Sequence, residues 1–410
     1  MTSADGSWSA ARERLGVYID AVYWVDGSPP GGRVSTDRSF LLFVVEVGRD
    51  FDRLILFGRT VRGEGLADYV LPPEVTLVEL PHYPNLRRIS SVARAAAGTV
   101  RTFWSGLPSV DVVWLFGPHP FAATFAVLAL VRRKRIVLGV RQNSVELYRK
   151  RVVGWKRVPA LAAVHLVDGA FRLLARHGRV TVQGPELARR YGAPRPNVLE
   201  LSESVVRAAD IVAAPPRTRD AGTVDLLTVG RLEAEKNPLL LVDALARLEE
   251  AQPGRFRLTW VGRGPLEREV LQRICEHGLE ERVTVRSYVP FGPELLGLYR
   301  EADLFVHVSL SEGVPKVVIE AFASATPVVA TDVGGVRAML DDGGAGLLVP
   351  PADLDALAAA VRRLADSPEL QAAFVERGLE LVRGLTLEAQ ADRVTRFLRA
   401  GADRRATPSG

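Results

Sequence analysis

Residues 301–335 read EADLFVHVSLSEGVPKVVIEAFASATPVVATDVGG, and the run divides by chemistry into strand, turn, helix and strand. Leu304 to Val308 is a short, mainly apolar run of strand length, and Ser309 to Gly313 carries turn-forming residues. Pro315 suits the first position of a helix, where the N–H it lacks would have no intrahelical partner. Thr326-Pro327 then opens a second strand. Glu312 is thereby placed in the loop at the carboxyl end of a strand, and Glu320 on the helix that follows. In open α/β sheets ligands sit in the crevice outside the strands' carboxyl ends, so the two acids can grip different parts of one ligand.

The same alternation extends outward in both directions. Strand-like runs fall at Leu54–Phe57, Val75–Leu80, Val110–Phe116, Ile136–Val140 and Val180–Val182, then at Asp225–Val229, Arg257–Val261, Val283–Val285, Leu304–Val308 and Val328–Ala330. An early strand is expected over Leu15–Ile19. Helical patterns separate these runs, which predicts parallel sheets covered by helices on both faces. The fold class is therefore α/β, with two doubly wound domains. The stretch from Arg207 to Gly222, with Pro215, Pro216 and several charges, interrupts the rhythm. It sets the expected domains at 1–206 and 207–385, followed at 386–410 by a last helix, Thr386–Leu398, and a disordered tail.

The 410 residues, 47% hydrophobic and 25% charged, are ordinary for a water-soluble protein of two domains. The amino-terminal residues carry Arg12, Glu13 and Arg14 and no apolar core of a leader. The longest apolar run, Phe121–Val131, is shorter than the roughly 20 residues a bilayer requires. A single cysteine, Cys275, lies in the helix-like stretch Leu266–His277, where a small core position is favoured, and nothing in the composition opposes a reducing cytoplasm. The net charge of +5 is mild for this length. Its distribution is more telling. Between Arg132 and Arg157 ten basic residues face only Glu146, interleaved with Tyr148 and Trp155. Such a stretch either attracts an anionic membrane or a phosphorylated acceptor, or is a solvated face. No nucleic-acid-binding signature accompanies it, so nucleic acid is excluded as a partner.

A second informative segment is Leu226–Asn237, LLTVGRLEAEKN, where a strand ends in Gly230-Arg231 and Lys236 follows five residues later. Together with the Glu312-x7-Glu320 spacing, Ala321, Pro327 and the Gly334-Gly335 pair, it resembles the donor site of the retaining glycosyltransferases called family 4. The likeness is close from Thr223 to Asp366 and holds in outline before that. It implies the GT-B architecture, two Rossmann-like domains facing across a cleft, with the acceptor on the first, a nucleotide sugar on the second, and the last helix packed back on the first domain. The donor would be a UDP-sugar or GDP-sugar and the acceptor a saccharide, a lipid-linked group or a small molecule, with no cofactor.

The resemblance also implies roles. Arg231 and Lys236 would stabilise the leaving diphosphate, with backbone amides at Gly313, Val314, Pro315 and Lys316 adding the favourable dipole of a helix amino terminus. Glu320 would accept the ribose hydroxyls. Glu312 would reach the transferred sugar and help stabilise positive charge at its anomeric carbon, without acting as a nucleophile. An exposed helix acid is the alternative for Glu320, disfavoured by its apolar neighbours Val317, Val318, Ile319 and Phe322. Gly262 would let backbone approach the nucleotide, and Val289 would read the base through its main chain. Gly31 and Gly32, in Pro29-Pro30-Gly31-Gly32, match the glycine loop over the donor phosphates, and a plain turn is the alternative. His119 stands three residues after Phe116, where the family often has its histidine, and would donate near the sugar. The family's glycine before the Thr-Pro strand is Ala325 here, and its acid after Gly-Gly-Val is Arg337.

No metal is expected, because Asp50-x-Asp52 precedes a strand and Asp353-x-Asp355 reads as a helix start. Two rivals remain. A sugar-nucleotide 2-epimerase shares the fold and needs no acceptor, and a non-catalytic nucleotide-sugar-binding protein needs only the pocket.

Overall fold

In the computed structural model the described residues are 13–27, 33–63, 68–84, 86, 88–151, 157–212 and 222–400. Gly31 and Gly32, most of the 207–222 boundary and the tail after residue 400 lie outside them, as do the side chains of 150–157. The chain divides into two compact units. The first comprises 1–182, 187–200 and 391–410, and the second 183–186 and 201–390.

The first unit is built on a nine-stranded sheet of β1 (Arg14–Asp26), β2 (Arg33–Thr36), β3 (Arg53–Arg62), β4 (Tyr69–Val70), β5 (Thr76–Leu80), β6 (Val112–Gly117), β7 (Arg135–Val140), β8 (Arg179–Gln183) and β9 (Val198–Leu201). β1 pairs in parallel with β3 and β6, and β6 and β7 continue in parallel to β7 and β8. The sheet is parallel through its centre, as expected, and carries an antiparallel edge in which β2 pairs with β1 and β4 with β2. β1 is also much longer than Leu15–Ile19. Its pairing with β3 slips between Tyr18 and Val22 and then resumes to Val25, an irregularity that places Asp20 within a strand without forcing it into a regular ladder. The last turns of the helix Leu387–Arg399 belong to this unit, with Thr395 donating to the Val47 carbonyl and Arg135 to that of Arg399 at 3.2 Å. The core gathers Tyr18, Phe57, Phe103, Phe125 and Phe171 around these strands.

The second unit holds β10 (Val224–Val229), β11 (Phe256–Val261), β12 (Val283–Arg286), β13 (Leu304–His307), β14 (Val328–Thr331) and β15 (Leu347–Val349) in the order β12-β11-β10-β13-β14-β15. Every pairing is parallel. That order reverses between β10 and β13, so the loops leaving their carboxyl ends turn to opposite sides and open a crevice, the usual ligand position of doubly wound sheets. Helices pack on both faces, with Leu241, Leu245, Val361 and Leu364 on one side and Val318, Phe322 and Val336 on the other. Asp353 begins the helix Leu354–Ala365 and accepts from the Ala356 N–H at 2.9 Å, so its acid is a helix cap as expected. Cys275 departs from the core position assigned to it. Its helix, Glu267–Glu276, buries Val270 and Ile274, and the next residue is rotated about 100° onto the solvent side, where the thiol is exposed.

Two glycines test this packing in opposite directions. Gly262 has φ +147°, and a Cβ there would overlap the Gly230 carbonyl oxygen. Gly262→Ala is therefore expected to destabilise the chain by about 1–3 kcal/mol. Gly297 lies inside the helix Pro293–Glu301 with open space around a Cβ, so Gly297→Ala is expected to stabilise by about 1 kcal/mol. Thermal unfolding of the two variants checks both signs.

Candidate functional site

The second unit's site begins where β10 ends. Gly230 and Arg231 leave the strand, a single tight turn spans Ala234–Lys236, and Asn237 adopts a left-handed conformation at φ +50° that lets Pro238 start the next helix. The geometry turns Lys236 toward the neighbouring strand's loop, where its Nζ donates to Glu312 Oε1. The two loops are tied directly, the Leu310 N–H donating to the Glu235 carbonyl at 2.8 Å. Behind Glu312, Gly335 donates to the Gly313 carbonyl at 3.0 Å. A Cβ at Gly334 would overlap the Glu312 carbonyl, and one at Gly335 that of Gly313. The glycine pair thus lets one backbone lie directly on another and fixes the height of the acid.

His307, in β13, was not singled out by sequence. It is buried with Nε2 3.1 Å from Glu312 Oε1, so Glu312 faces two cationic or proton-donating groups with only 11% of its side chain exposed. Burial alone would push this carboxyl up, but His307 and Lys236 outweigh it and hold it down at about 2. Glu312 is consequently an anion throughout the physiological range. Beneath it Thr331 ties the strand end by donating to the Ser309 carbonyl at 2.6 Å.

Glu320 has the opposite environment. It is 6% exposed, within the helix Lys316–Ala323, which excludes the exposed helix acid weighed above. One of its oxygens accepts from the buried Tyr299 hydroxyl at 2.9 Å, and desolvation raises its pKa against the opposing Tyr299 and Lys316. Tyr299 is a second residue that sequence did not identify. Arg231 is not drawn toward Glu312. Its guanidinium, 57% exposed, pairs with Glu233 at 2.7 Å and Glu235 at 2.9 Å. The structure thus joins Lys236 with Glu312, while Arg231 and Glu320 have partners of their own.

Among the other positions, Gly313 has open space where a Cβ would stand. Val314 packs near Gly184, and Pro315 caps the helix from the residue before it, one position earlier than expected. Lys316 Nζ approaches the buried Glu203 carboxylate at 4.0 Å. The restriction at Gly262 comes from the Gly230 carbonyl, which also accepts from Trp260 Nε1 at 3.1 Å, so the protein's own backbone requires a glycine there. Val289 is half-buried against the core cluster containing Phe305 and Leu227. Ala325 sits at φ +55°, the left-handed region in which the family's glycine carries no penalty. Arg337 faces Asp332 at 3.1 Å.

In the first unit, His119 precedes the helix Pro120–Val131 just beyond β6 and is buried. Its Nε2 lies 3.3 Å from Asp20, whose other oxygen is 2.9 Å from Arg59 Nε and accepts from the Tyr83 hydroxyl at 2.6 Å. Tyr18 Oη is 3.3 Å from His119 Nδ1, and Arg59 stacks on the Tyr83 ring and donates to its carbonyl. Burial pushes the Asp20 carboxyl up, yet His119, Arg59 and Tyr83 together bring it down to about 2, and 27% of the side chain remains exposed. Asp20, Arg59 and Tyr83 were invisible to sequence because each lies in or beside an apolar strand with no motif around it.

The basic stretch is partly spent on the fold. Arg132 stacks on Trp104 at 3.9 Å, Arg141 on Phe40 at 4.2 Å, and Arg135 pairs with Glu13. Among the described residues no helix is long and apolar enough to cross a membrane, and no cluster of three potential metal-ligating side chains occurs.

With this geometry established, the described sheets and their order define a GT-B protein, and solved structures agree. Sucrose-phosphate synthase from Thermosynechococcus elongatus superposes with a TM-score of 0.70 at 18% identity, over 96% of this chain and all of that one. The Anabaena protein HepE, solved with UDP and glucose, gives a TM-score of 0.68 at 16% identity over 95% of this chain and all of that one. Residues 223–367 match the family model described as glycosyl transferases group 1, and the likeness to the solved structures shows the GT-B fold. D-inositol 3-phosphate glycosyltransferase of Pseudarthrobacter chlorophenolicus is 32% identical over 256 residues, which are 60% of this chain and 57% of that protein. The chain therefore matches little more than half the length of that relative.

The direction of the Glu312 shift has a measurable consequence. A carboxyl held low in the folded state stabilises it fully above its ordinary value near 4.5, and that contribution is lost as pH falls toward about 2. Urea unfolding of wild type and Glu312→Gln at stepped pH is expected to show a stability difference that is constant above this window and shrinks within it. A difference independent of pH across the window would refute the assignment.

Proposed function

We propose that the chain is a retaining glycosyltransferase that moves a hexose-type residue from a nucleoside-diphosphate sugar, a UDP-sugar or GDP-sugar, to a saccharide, lipid-linked or small-molecule acceptor. The observation that carries this reading is the meeting of Lys236 and Glu312 at the point where the second sheet's strand order reverses. A cation there offsets charge on a departing diphosphate, and an anion beside it faces the developing positive charge of the sugar. The two solved neighbours support the fold, and HepE's complex with UDP and glucose supports a nucleotide sugar as donor type.

On donor binding, the diphosphate displaces the Glu312 carboxylate as the partner of Lys236. Arg231, exposed between Glu233 and Glu235, can turn to the same phosphates. The backbone amides from Gly313 to Lys316 add the positive end of the helix that starts at Lys316. Glu320 keeps one oxygen on Tyr299 and offers the other to the ribose. The glycosidic bond breaks with its electron pair going to the diphosphate oxygen, and the acceptor hydroxyl attacks the anomeric carbon on the face the diphosphate leaves. Its proton passes to the departing diphosphate. Glu312 stays ionised and forms no bond. Arg231 and Lys236 supply the positive charge that a divalent ion provides elsewhere, which supports a metal-independent reaction. The first unit is assigned to the acceptor, where Asp20, His119 and Arg59 form a set of acceptor and donor groups suited to hydroxyls. A cytoplasmic location, with contact to an anionic membrane through Arg132–Arg157, belongs to the same proposal.

Lys236→Ala is expected to lower transfer by about a hundredfold or more, the usual effect of removing one electrostatic stabiliser. Unchanged turnover would overturn the role. A thermal-shift screen of UDP-, GDP- and ADP-sugars identifies the base, because a ligand that binds only the folded chain raises its melting temperature. Formation of an epimer from donor alone, without acceptor, would favour the epimerase, and donor binding without hydrolysis or transfer would favour a binding protein. For the membrane contact, sedimentation with anionic vesicles is expected to fall steeply with salt, whereas equal binding to neutral vesicles counts against it.

A further inference from the structure

The first unit carries a second gathering of cations that the transfer reaction leaves unused. The carboxyl end of the helix Arg157–Leu174, the helix Pro185–Arg190 and the segment after it surround a hollow of about 480 Å³, lined by Arg172, Arg176, Arg190, Tyr191, Arg195 and Asn197 and by no carboxylate. Arg190 is anchored at 2.5 Å to the buried Asp168 carboxylate. Asn197 donates to the carbonyls of Ala175 at 3.3 Å and Gly178 at 3.2 Å, pinning the segment to the end of the long helix. Gly192, at φ +97°, lets the chain turn so that the Arg195 guanidinium lies over it, 3.3 Å from where a Cβ would stand. The buried Tyr191 hydroxyl makes no hydrogen bond of good geometry, its neighbour Asp168 being taken by Arg190. Arg190 also lines an adjoining hollow of about 340 Å³, together with Arg149, Asn143 and Glu146.

With Arg190 compensated by Asp168, the remaining guanidinium groups leave net positive charge around the cavity, which lowers the free energy of an anion that enters. Guanidinium forks hold phosphate oxygens in bidentate fashion, with geometric selectivity that an ammonium lacks. The volume lies in the range of small-ligand sites. We infer that this hollow binds a phosphate-bearing group, at a site distinct from the one holding Lys236 and Glu312. The inference is independent of the donor assignment, because all six named lining residues lie in the first unit.

The test is calorimetric titration of the full chain with inorganic pyrophosphate in a Lys236→Ala background, which weakens competing binding at the second unit's site. The expected result is saturable binding that drops about tenfold or more in Arg172→Ala/Arg195→Ala, two positions with exposed side chains. An unchanged melting temperature of that variant separates lost binding from lost folding. A parallel sedimentation with anionic phospholipid vesicles distinguishes the source of the phosphate. A loss there as well assigns it to a lipid headgroup, and a loss with pyrophosphate alone assigns it to a soluble ligand. Absence of pyrophosphate binding in the Lys236→Ala background, or affinity unaltered by the double substitution, would overturn the inference.

Discussion

The parallel pairing of β10 with β13, in register at Leu226 with Leu304 and Leu227 with Phe305, is the constraint on which the second unit depends. It sets two carboxyl ends side by side while their connections depart in opposite directions. From that follow the crevice, the backbone bond from Leu310 to Glu235, and the meeting of two side chains 76 residues apart. Partial burial of an ion pair costs solvation, and removing one partner leaves the other charge uncompensated. Here His307 on one side and the Gly334-Gly335 backbone on the other keep the acid where its partner can reach it.

Two acids eight residues apart end in contrasting electrostatic states for separable reasons. Glu312 sits in a loop among positively polarised groups and stays charged, whereas Glu320 sits in a packed helix against a phenol and is pushed toward the neutral form. Divergence of this kind between neighbouring carboxyls commonly accompanies a division of labour. The first unit repeats half of the pattern. Asp20, like Glu312, is a largely buried carboxylate kept ionised by a histidine and a cation near a sheet's carboxyl edge.

What was legible in the chain was whatever local pattern controls. Apolar runs marked β6, β7, β10, β13 and β14 to within a residue or two, because those strands are largely buried on both faces, whereas β3 runs five residues past the expected end at Phe57. The short β2, β4, β9 and β15, of two to four residues each, escaped detection. The second half of β1 was missed because its irregular pairing around Asp20 breaks the apolar run. Lys236 and Glu312 stood out through the resemblance of their surrounding motifs to a known donor site, and the structure brings the two into contact. His307, Asp20, Arg59, Tyr83 and Tyr299 did not, because their significance lies in distant pairings, such as the 101 positions between Tyr18 and His119. Cys275 illustrates the limit of composition, as one step along a helix separates inside from outside.

The division of the chain has a consequence for how the molecule can be made. The first unit closes only with residues 391–399, through the Thr395 bond to Val47 and the Arg135 bond to Arg399. A ribosome must pass residue 399 before the described pieces of that unit are all made, and an expression clone ending between the two units would yield a sheet missing this brace. The isolated amino-terminal half is thus a poor reagent for studying that half, unless the closing helix is grafted back onto it.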